Sequence, residues 1–369
     1  MNSFSDDFLN QMDPQTLQNV VLKQGREIEE LKQSVIELQQ VSSIAESGGT
    51  LGETDFGGAK MDSNGIHTSA DLTEINWWLP VTLVSDVVGV IYAMAYDGSE
   101  FLYVGGTFSR IGGVNANNIA KYSLITRSWS ALGTGTDDSV WSIAISGSTI
   151  YVGGAFTSAG GLGSTIGIAK WNGSAWSALG TGANSPGARA LVVSGTDIYA
   201  GGDFTLMGGV ANTVHIAKWN GAAWSALGTG VTTGVGVAVF GLAVDGSGNL
   251  FAGGMFSAVG GVANTAYIAK WTGSWNSVGV FNDRVLSLHY DSTFNILYAG
   301  GRFSAITGVS GAAYIAQYDG STWSAVGSGL NTGVFVIRTD SDGNVYVGGD
   351  FTDVDGNPLI DRVAVFDGS

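Results

Sequence analysis

Ile150-Tyr151-Val152-Gly153-Gly154-Ala155-Phe156 is a β-prone apolar run that stops at two glycines and resumes with an aromatic ring. Its Gly-Gly-X-Phe element returns with first glycines at Gly105, Gly153, Gly201, Gly253, Gly300 and Gly348, at intervals of 48, 48, 52, 47 and 48 residues. Self-similarity with a period of about 40–50 residues marks a radial or solenoid array, in which one supersecondary unit buries its apolar face only by stacking on its neighbours.

Outward from that stretch, the second repeat reads Val140-Trp141-Ser142-Ile143-Ala144-Ile145, a turn at Ser146-Gly147-Ser148, the quoted run, a Gly-rich loop, Ile168-Ala169-Lys170-Trp171, a turn at Asn172-Gly173, and Trp176-Ser177-Ala178-Leu179-Gly180. Four short strands are implied. Asn-Gly or Asp-Gly at Asn172, Asn220 and Asp319 supplies the positive φ that a tight hairpin needs between the last two strands. Four antiparallel strands every 48 residues or so predict the blade of a β-propeller. The fold class is therefore all-β, a six-bladed β-propeller of four-stranded blades over residues 75–369. The sixth repeat ends at Val363-Ala364-Val365-Phe366-Asp367-Gly368 without the Trp-Ser-Ala-Leu-Gly strand that finishes the others. Upstream of the first repeat stands Ile75-Asn76-Trp77-Trp78-Leu79-Pro80-Val81, so a strand at 75–83 is expected to complete the last blade and close the ring. Closure of that kind removes exposed sheet edges.

The propeller is preceded by segments of different chemistry. Residues 1–41 contain an Asp13-Pro14 helix start and then Leu17, Val21, Ile28, Leu31, Val35 and Leu38 in a heptad seam interrupted by Gln24. This predicts an N-terminal α-helical coiled-coil segment for oligomerisation or docking on a partner, because a helix of this length gains stability by pairing. Residues 42–74, with Ser47-Gly48-Gly49, Gly57-Gly58 and Asn64-Gly65, read as a Ser/Gly-rich linker or arm.

Composition bounds the function. The chain has 369 residues, 58 Gly, 4 Pro, only 12% charged residues and a net charge of −16, with 14 acids against 4 bases in residues 1–89. Such a balance repels bare nucleic acid and anionic membrane, and no basic patch offsets it. There is no cysteine, so disulfides and thiolate chemistry are absent. No basic segment followed by an apolar one opens the chain, and no apolar run is long enough to span a bilayer. No nucleic-acid partner and no membrane insertion are expected.

Tyr-Val-Gly-Gly-X-Phe-Thr/Ser, Ile-Ala-Lys-Trp-Asn-Gly and Trp-Ser-Ala-Leu-Gly-Thr-Gly resemble the propeller repeats of the fungal cortical polarity-marker family, and are similar to arrays in bacterial surface proteins and in phage and giant-virus proteins. The resemblance covers about three quarters of the chain and implies the propeller; propellers host many unrelated tasks. A propeller behind a short coiled coil looks like a virion fibre or receptor-binding subunit. The reading is thus a non-enzymatic virion structural protein at the virion surface, attaching to a host glycan or surface protein. Its N-terminal helix would pair with copies of itself and with other virion proteins. Ile and Val at a with Leu at d favour a dimer; the analogy with fibres favours a trimer, which is the state expected here. The alternatives are a bacterial secreted or surface adhesion module and a polysaccharide-degrading propeller.

Candidate sites were weighed against packing. Tyr122, Trp171, Trp219, Trp271, Tyr318 and Phe366, with Trp129, Trp176, Trp224, Trp275 and Trp323, resemble sugar platforms, but residues repeated in every blade are expected to pack between blades. Lys121, Lys170, Lys218 and Lys270 are expected to be solvated strand residues whose stems cover those rings. The position inside Gly-Gly-X-Phe varies through Thr107, Ala155, Asp203, Met255, Arg302 and Asp350, as a channel-lining or mouth position would. Asp340-Ser341-Asp342-Gly343-Asn344 and Asp353-Val354-Asp355-Gly356-Asn357 resemble half a calcium loop without the distal Glu; the first aligns with ordinary hairpin turns. No metal site and no cofactor are expected. The loops between blades are the expected place for ligand contacts, with Asp137, Asp138, Asn184, Arg189, Asn282, Asp283, Arg284 and Asn331 as binding candidates. No catalytic residue is called, because His67, His215 and His289 fall in unrelated positions and no nucleophile elbow, phosphate loop or zinc spacing is present.

Overall fold

The computed structural model describes residues 55–56, 59–62, 65–68, 87–234, 236–352, 354 and 362–367. Three short strands, β1 (Asp55–Phe56), β2 (Ala59–Asp62) and β3 (Gly65–Thr68), form a small antiparallel sheet by themselves. The heptad seam and the 75–83 strand lie outside the described residues.

The remaining strands fall into six blades. Blade 1 holds β4 (Gly89–Tyr96), β5 (Phe101–Phe108), β8 (Ile119–Ser123) and β9 (Ser128–Ala131), with a small hairpin, β6 (Arg110–Ile111) and β7 (Val114–Asn115), in its central loop. Blade 2 holds β10 (Val140–Ser146), β11 (Thr149–Gly154), β12 (Ile168–Trp171) and β13 (Trp176–Ser177). Blade 3 holds β14 (Ala188–Ser194), β15 (Asp197–Gly202), β16 (Ile216–Trp219) and β17 (Trp224–Ser225). Blade 4 holds β18 (Ala238–Val244), β19 (Leu250–Met255), β20 (Ile268–Trp271) and β21 (Trp275–Asn276). Blade 5 holds β22 (Val285–Asp291), β23 (Ile296–Gly301), β24 (Ile315–Tyr318) and β25 (Trp323–Ala325). Blade 6 has three strands among the described residues, β26 (Val334–Thr339), β27 (Val345–Gly349) and β28 (Val363–Phe366). Every pairing within a blade is antiparallel and follows chain order, β6 and β7 being an insertion between β5 and β8, and the first strands of all six blades line one central channel.

The constant residues of the repeat now have separate tasks. Its phenylalanine, Phe108, Phe156, Phe204, Phe256, Phe303 or Phe351, is at most 4% exposed and plugs the core of its blade. The first glycine lets blades approach: a Cβ on Gly153 would lie 2.6 Å from the Ala188 carbonyl oxygen of blade 3. The second glycine serves its own blade. A Cβ on Gly202 would lie 1.8 Å from the carbonyl oxygen of Gly187, the residue just before the adjacent strand β14.

That close approach accompanies a β-bulge in every inner strand. The register slips between Ile91 and Ala93, Val140 and Ser142, Ala188 and Ala190, Val239 and Gly241, Val285 and Ser287, and Val334 and Val336. One residue per blade is left unpaired, as a bulge requires.

The outer strands lock consecutive blades together. Indole Nε1 of Trp176 donates to the Leu132 carbonyl at 2.8 Å, Trp224 to Leu179 at 2.8 Å, Trp275 to Leu227 at 2.9 Å and Trp323 to Val278 at 2.6 Å. Each bond runs from one blade to the blade before it. The same tryptophans tilt against the aromatic across their hairpin, at 5.3 Å for Trp171 and Trp176 and 5.4 Å for Trp219 and Trp224. These rings are buried packing elements, as expected from their repetition. Lys218 and Lys270 pair with Asp197 and Asp245 at 2.6 and 3.0 Å, and the ammonium groups of Lys121, Lys218 and Lys270 lie 4.0, 5.7 and 4.8 Å from the ring centres of Phe101, Tyr199 and Phe251, so these lysines meet rings of the second strands rather than the outer aromatics they were expected to cover.

Candidate functional site

The bulges decide what the channel presents. The six unpaired residues are Tyr92, Trp141, Arg189, Phe240, Leu286 and Phe335, one from each blade, all half-buried and all in the channel wall. They make a mostly aromatic ring with one cation. The Arg189 guanidinium carbon sits 4.5 Å from the Trp141 ring centre and 5.5 Å from that of Phe240. Its fork is fixed from below by Asp203, with Nη2 to Oδ2 at 2.7 Å and Nε to Oδ1 and Oδ2 at 2.9 and 2.8 Å. Both side chains remain 37% exposed, so the pair offers donors and acceptors to a ligand in the channel. The channel cavity is about 240 Å³.

Around this ring stand the varying residues of Gly-Gly-X-Phe. Thr107 Oγ1 is 2.6 Å from Ser139 Oγ, and the Arg302 fork donates to Asp350 at 3.0 Å while its carbon lies 5.6 Å from the Phe335 ring centre. Asp350 also accepts from the Thr332 hydroxyl at 3.0 Å. The Arg284 Nη1 group lies 3.9 Å from Met255 Sδ, and its Nε is 3.8 Å from Asp283. These residues form a rim where the interblade loops enter the inner strands, so the variable position lies at the mouth.

The loop candidates divide into two kinds. Asp137 accepts from the amides of Thr157 and Ser158 at 2.8 and 2.9 Å and from the Thr157 hydroxyl, and these bonds hold its carboxyl below the usual range against an opposing burial effect. In the same place, Oδ1 of Asn184 accepts from the amides of Thr205 and Leu206, that of Asn282 from Ser304 and Ala305, and that of Asn331 from Thr352, while each Nδ2 donates to the hydroxyl of Thr205, Ser304 or Thr352. Asp138 and Asp283 cap the following residue, at 2.6 and 2.7 Å. Asp137, Asn184, Asn282 and Asn331 thus fasten one loop to the turn after the repeat's phenylalanine, whereas Asp138 and Asp283 act within their own loops. Asn184→Ala is expected to lower stability by about 1–2 kcal/mol, measured by denaturant unfolding, and to leave ligand affinity unchanged. Of the eight, Arg189 alone belongs to the ring inside the channel, with Arg284 on its rim.

Tyr92, Trp141, Phe240, Leu286 and Phe335 escape the sequence reading because a bulge breaks the period-2 alternation that assigns faces. A signal was present: each is the residue that the two glycines leave without a partner.

The acidic run in blade 6 is a turn. Asp340 accepts from the amides of Asp342 and Asn344 at 3.0 and 2.9 Å, from the Asn344 side chain at 2.7 Å and from the Tyr346 hydroxyl at 3.1 Å, as Asp245 does for Ser247 and Asn249. Most of the run at Asp353 lies outside the described residues. Among the described residues no three His, Cys, Asp or Glu side chains converge on a metal-sized point.

His289 and His215 are separate. His289 Nε2 accepts from the Thr339 amide of blade 6 at 3.3 Å and lies 2.9 Å from the Thr339 hydroxyl, whereas His215, at φ 60°, places Nδ1 3.0 Å from the Gly202 carbonyl. His67 lies on β3 in the small sheet.

A protein-family model described as the Rax2 C-terminal beta propeller domain matches residues 68–247, a little under half of the chain. That span covers blades 1 to 3 and the first strand of blade 4, and it supports the propeller-repeat resemblance drawn from the sequence. No curated protein matches the chain. Among solved structures, the extracellular domain of BT4673 from B. thetaiotaomicron is similar at 14% identity and a TM-score of 0.48, over 84% of this chain and 35% of that one. This chain thus spans about a third of that protein's length. The WD40 beta propeller domain of Doa1 is similar at 14% identity and a TM-score of 0.46, over 76% of this chain and 79% of that one. The computationally designed protein Ika8 is similar at 14% identity and a TM-score of 0.44, over 76% and 88%.

Proposed function

We propose that this protein is a non-enzymatic recognition propeller, a virion fibre or receptor-binding subunit, which takes the end of a neutral glycan into the mouth of its channel. The observation that carries the reading is the Arg189 guanidinium, oriented by Asp203 and held between Trp141 and Phe240. Sugar rings stack on aromatic faces, and their vicinal hydroxyls match a planar fork beside a carboxylate. With a net charge of −16 on the chain and Asp203 already balancing Arg189, a polyanionic ligand is disfavoured and a neutral one is not. A cavity of about 240 Å³ is smaller than the roughly 300–1,000 Å³ of a drug-sized pocket, so it suits the tip of a glycan.

In this reading the N-terminal heptad residues assemble the subunit, as a trimer, on other virion proteins, and the propeller faces the host surface. A glycan array with the full chain, followed by titration of the best neutral ligand, is the test. Arg189→Ala is expected to weaken binding by about 10–100-fold, the loss of one charge-assisted hydrogen-bond set, with an unchanged melting temperature within a few degrees. Equal binding by wild type and Arg189→Ala would remove the channel mouth from the reading.

A further inference from the structure

The wall of the channel is charged in one sign only. Among the described residues that line the cavity, Arg189 and Arg338 are ionised and there is no Asp or Glu. Arg189 is matched at the rim by Asp203, at 2.7 Å. Arg338, on β26 of blade 6, has no carboxylate at ion-pair distance among the described residues. Its guanidinium makes one hydrogen bond there, from Nη1 to the carbonyl of its own neighbour Ile337 at 2.7 Å. Burial lowers its proton affinity from the ordinary arginine value, and the nearby His289 ring is itself kept uncharged by burial. A desolvated charge without a partner is costly, so the residue is there for a reason other than stability.

Packing does not supply that reason. Arg338 stands opposite Tyr346, and the residues at the same place in the other blades are Ala95, Ala144, Val192, Ala243 and His289. Ala144 packs against Ile198 and Ala200 of blade 3, and Ala243 against Leu297 and Ala299 of blade 5. A methyl group therefore meets the needs of the seam, and a long cation departs from the repeat.

The backbone of Ile337 brings a second donor beside this guanidinium. Its amide donates to Ser287 Oγ of blade 5 at 3.2 Å, while its carbonyl takes Arg338 Nη1. Amide and carbonyl of one strand residue point to the same edge, and β27 occupies the other edge of β26, so both side chains meet at the edge that faces the channel. Ser287 is 7% exposed. Because its oxygen already accepts the Ile337 amide, its hydrogen is left to donate, and no described residue receives it.

We infer that the channel binds one small oxyanion, of the phosphate or sulfate kind, on the Arg338 guanidinium and the Ser287 hydroxyl. The Ile337 carbonyl orients the guanidinium, whose remaining donors lie in a plane that matches two oxygens of such an ion. A small ion meets only the local field of the lining cations, whereas a polyanionic chain would also meet the charge of −16 outside. This site does not rest on the glycan reading.

The test uses the full chain, inorganic phosphate and no glycan. The melting temperature is followed at neutral pH while phosphate replaces chloride at constant ionic strength. Wild type is expected to rise by about 5 °C once phosphate exceeds its dissociation constant roughly 100-fold, and Arg338→Gln to show no rise. Without phosphate, Arg338→Gln is expected to melt at or above the wild-type temperature, since it removes an unpaired charge. Arg338→Lys keeps the charge and loses the planar fork, and is expected to need about tenfold more phosphate; Ser287→Ala, which loses one donor, about 3–10-fold more. A flat wild-type titration, or an equal rise in Arg338→Gln, would overturn the site. So would a phosphate response that Arg338→Lys and Ser287→Ala both leave unchanged.

Discussion

Gly202→Ala is expected to destabilise the propeller by at least about 3 kcal/mol, at the severe end of single substitutions. The added carbon would lie 1.8 Å from the Gly187 carbonyl oxygen, and 2.8 Å from its carbon. Neither side can retreat. Ala188 is paired with Gly202 in the ladder, and the Gly187 carbonyl accepts the Asp203 amide at 2.9 Å. Relief therefore requires opening β14 from β15 at the bulge that aims Arg189 into the channel. The check is denaturant unfolding against Gly163→Ala, where a Cβ meets nothing within 4 Å and a small gain, about 0.4–1 kcal/mol, is expected. Equal stability of the two variants would show that the second glycine is not required by the bulge. Ligand affinity, if the channel mouth is the site, should fall in Gly202→Ala even where the protein is still folded.

Acidification from pH 6.5 to about 4 is the second large effect, and it is assigned to His289. Burial between blades 5 and 6 pushes its imidazole down to about 3, the neighbouring Arg338 charge adds to this, and Asp291 opposes it. The folded value lies below the unfolded one. Above pH 6.5 the ring is neutral in both states and costs nothing; below it the unfolded chain takes up a proton that the folded chain refuses. Stability is therefore lost progressively as pH falls, by up to about 1.4 kcal/mol per unit, reaching roughly 2–3 kcal/mol at pH 4 for a ring that is only half-buried beside the channel. His215 is also held low by desolvation and contributes with the same sign. Asp97, Asp245 and Asp340 are held low by their turn amides, so their contributions remain above pH 4 and are lost only below it. Melting temperatures of wild type and His289→Gln between pH 7 and 4.5 separate these effects. The wild type is expected to fall more steeply, and parallel curves would clear His289 of the role.

The repeat made the architecture legible because its glycines, phenylalanine and turn dipeptides act locally. Asn172-Gly173 is a hairpin whatever lies around it, and Asn172 Oδ1 indeed receives the amides of Ser174 and Ala175 at 3.0 and 2.8 Å. The assignment of the outer tryptophans to packing came from repetition alone and agrees with the burial of Trp176, Trp224 and Trp275. Less of the site could be read. Loop position singled out Asp137, Asn184, Asn282 and Asn331, but an Asp or Asn before a strand looks the same whether it caps a turn or waits for a ligand. Which it does depends on amides that lie 20 or more residues further along the chain.

By itself the sequence determined the number of blades, their strand order and the residues that pack between them, since a period near 48 residues admits one stacking of identical units. Tertiary structure decided what the channel shows. Two strands must be paired before one residue can be excluded from the pairing, and blades must be set in a ring before Trp141, Arg189 and Phe240, from three different blades, become neighbours. That convergence is a property of the closed ring, and no local rule along the chain encodes it.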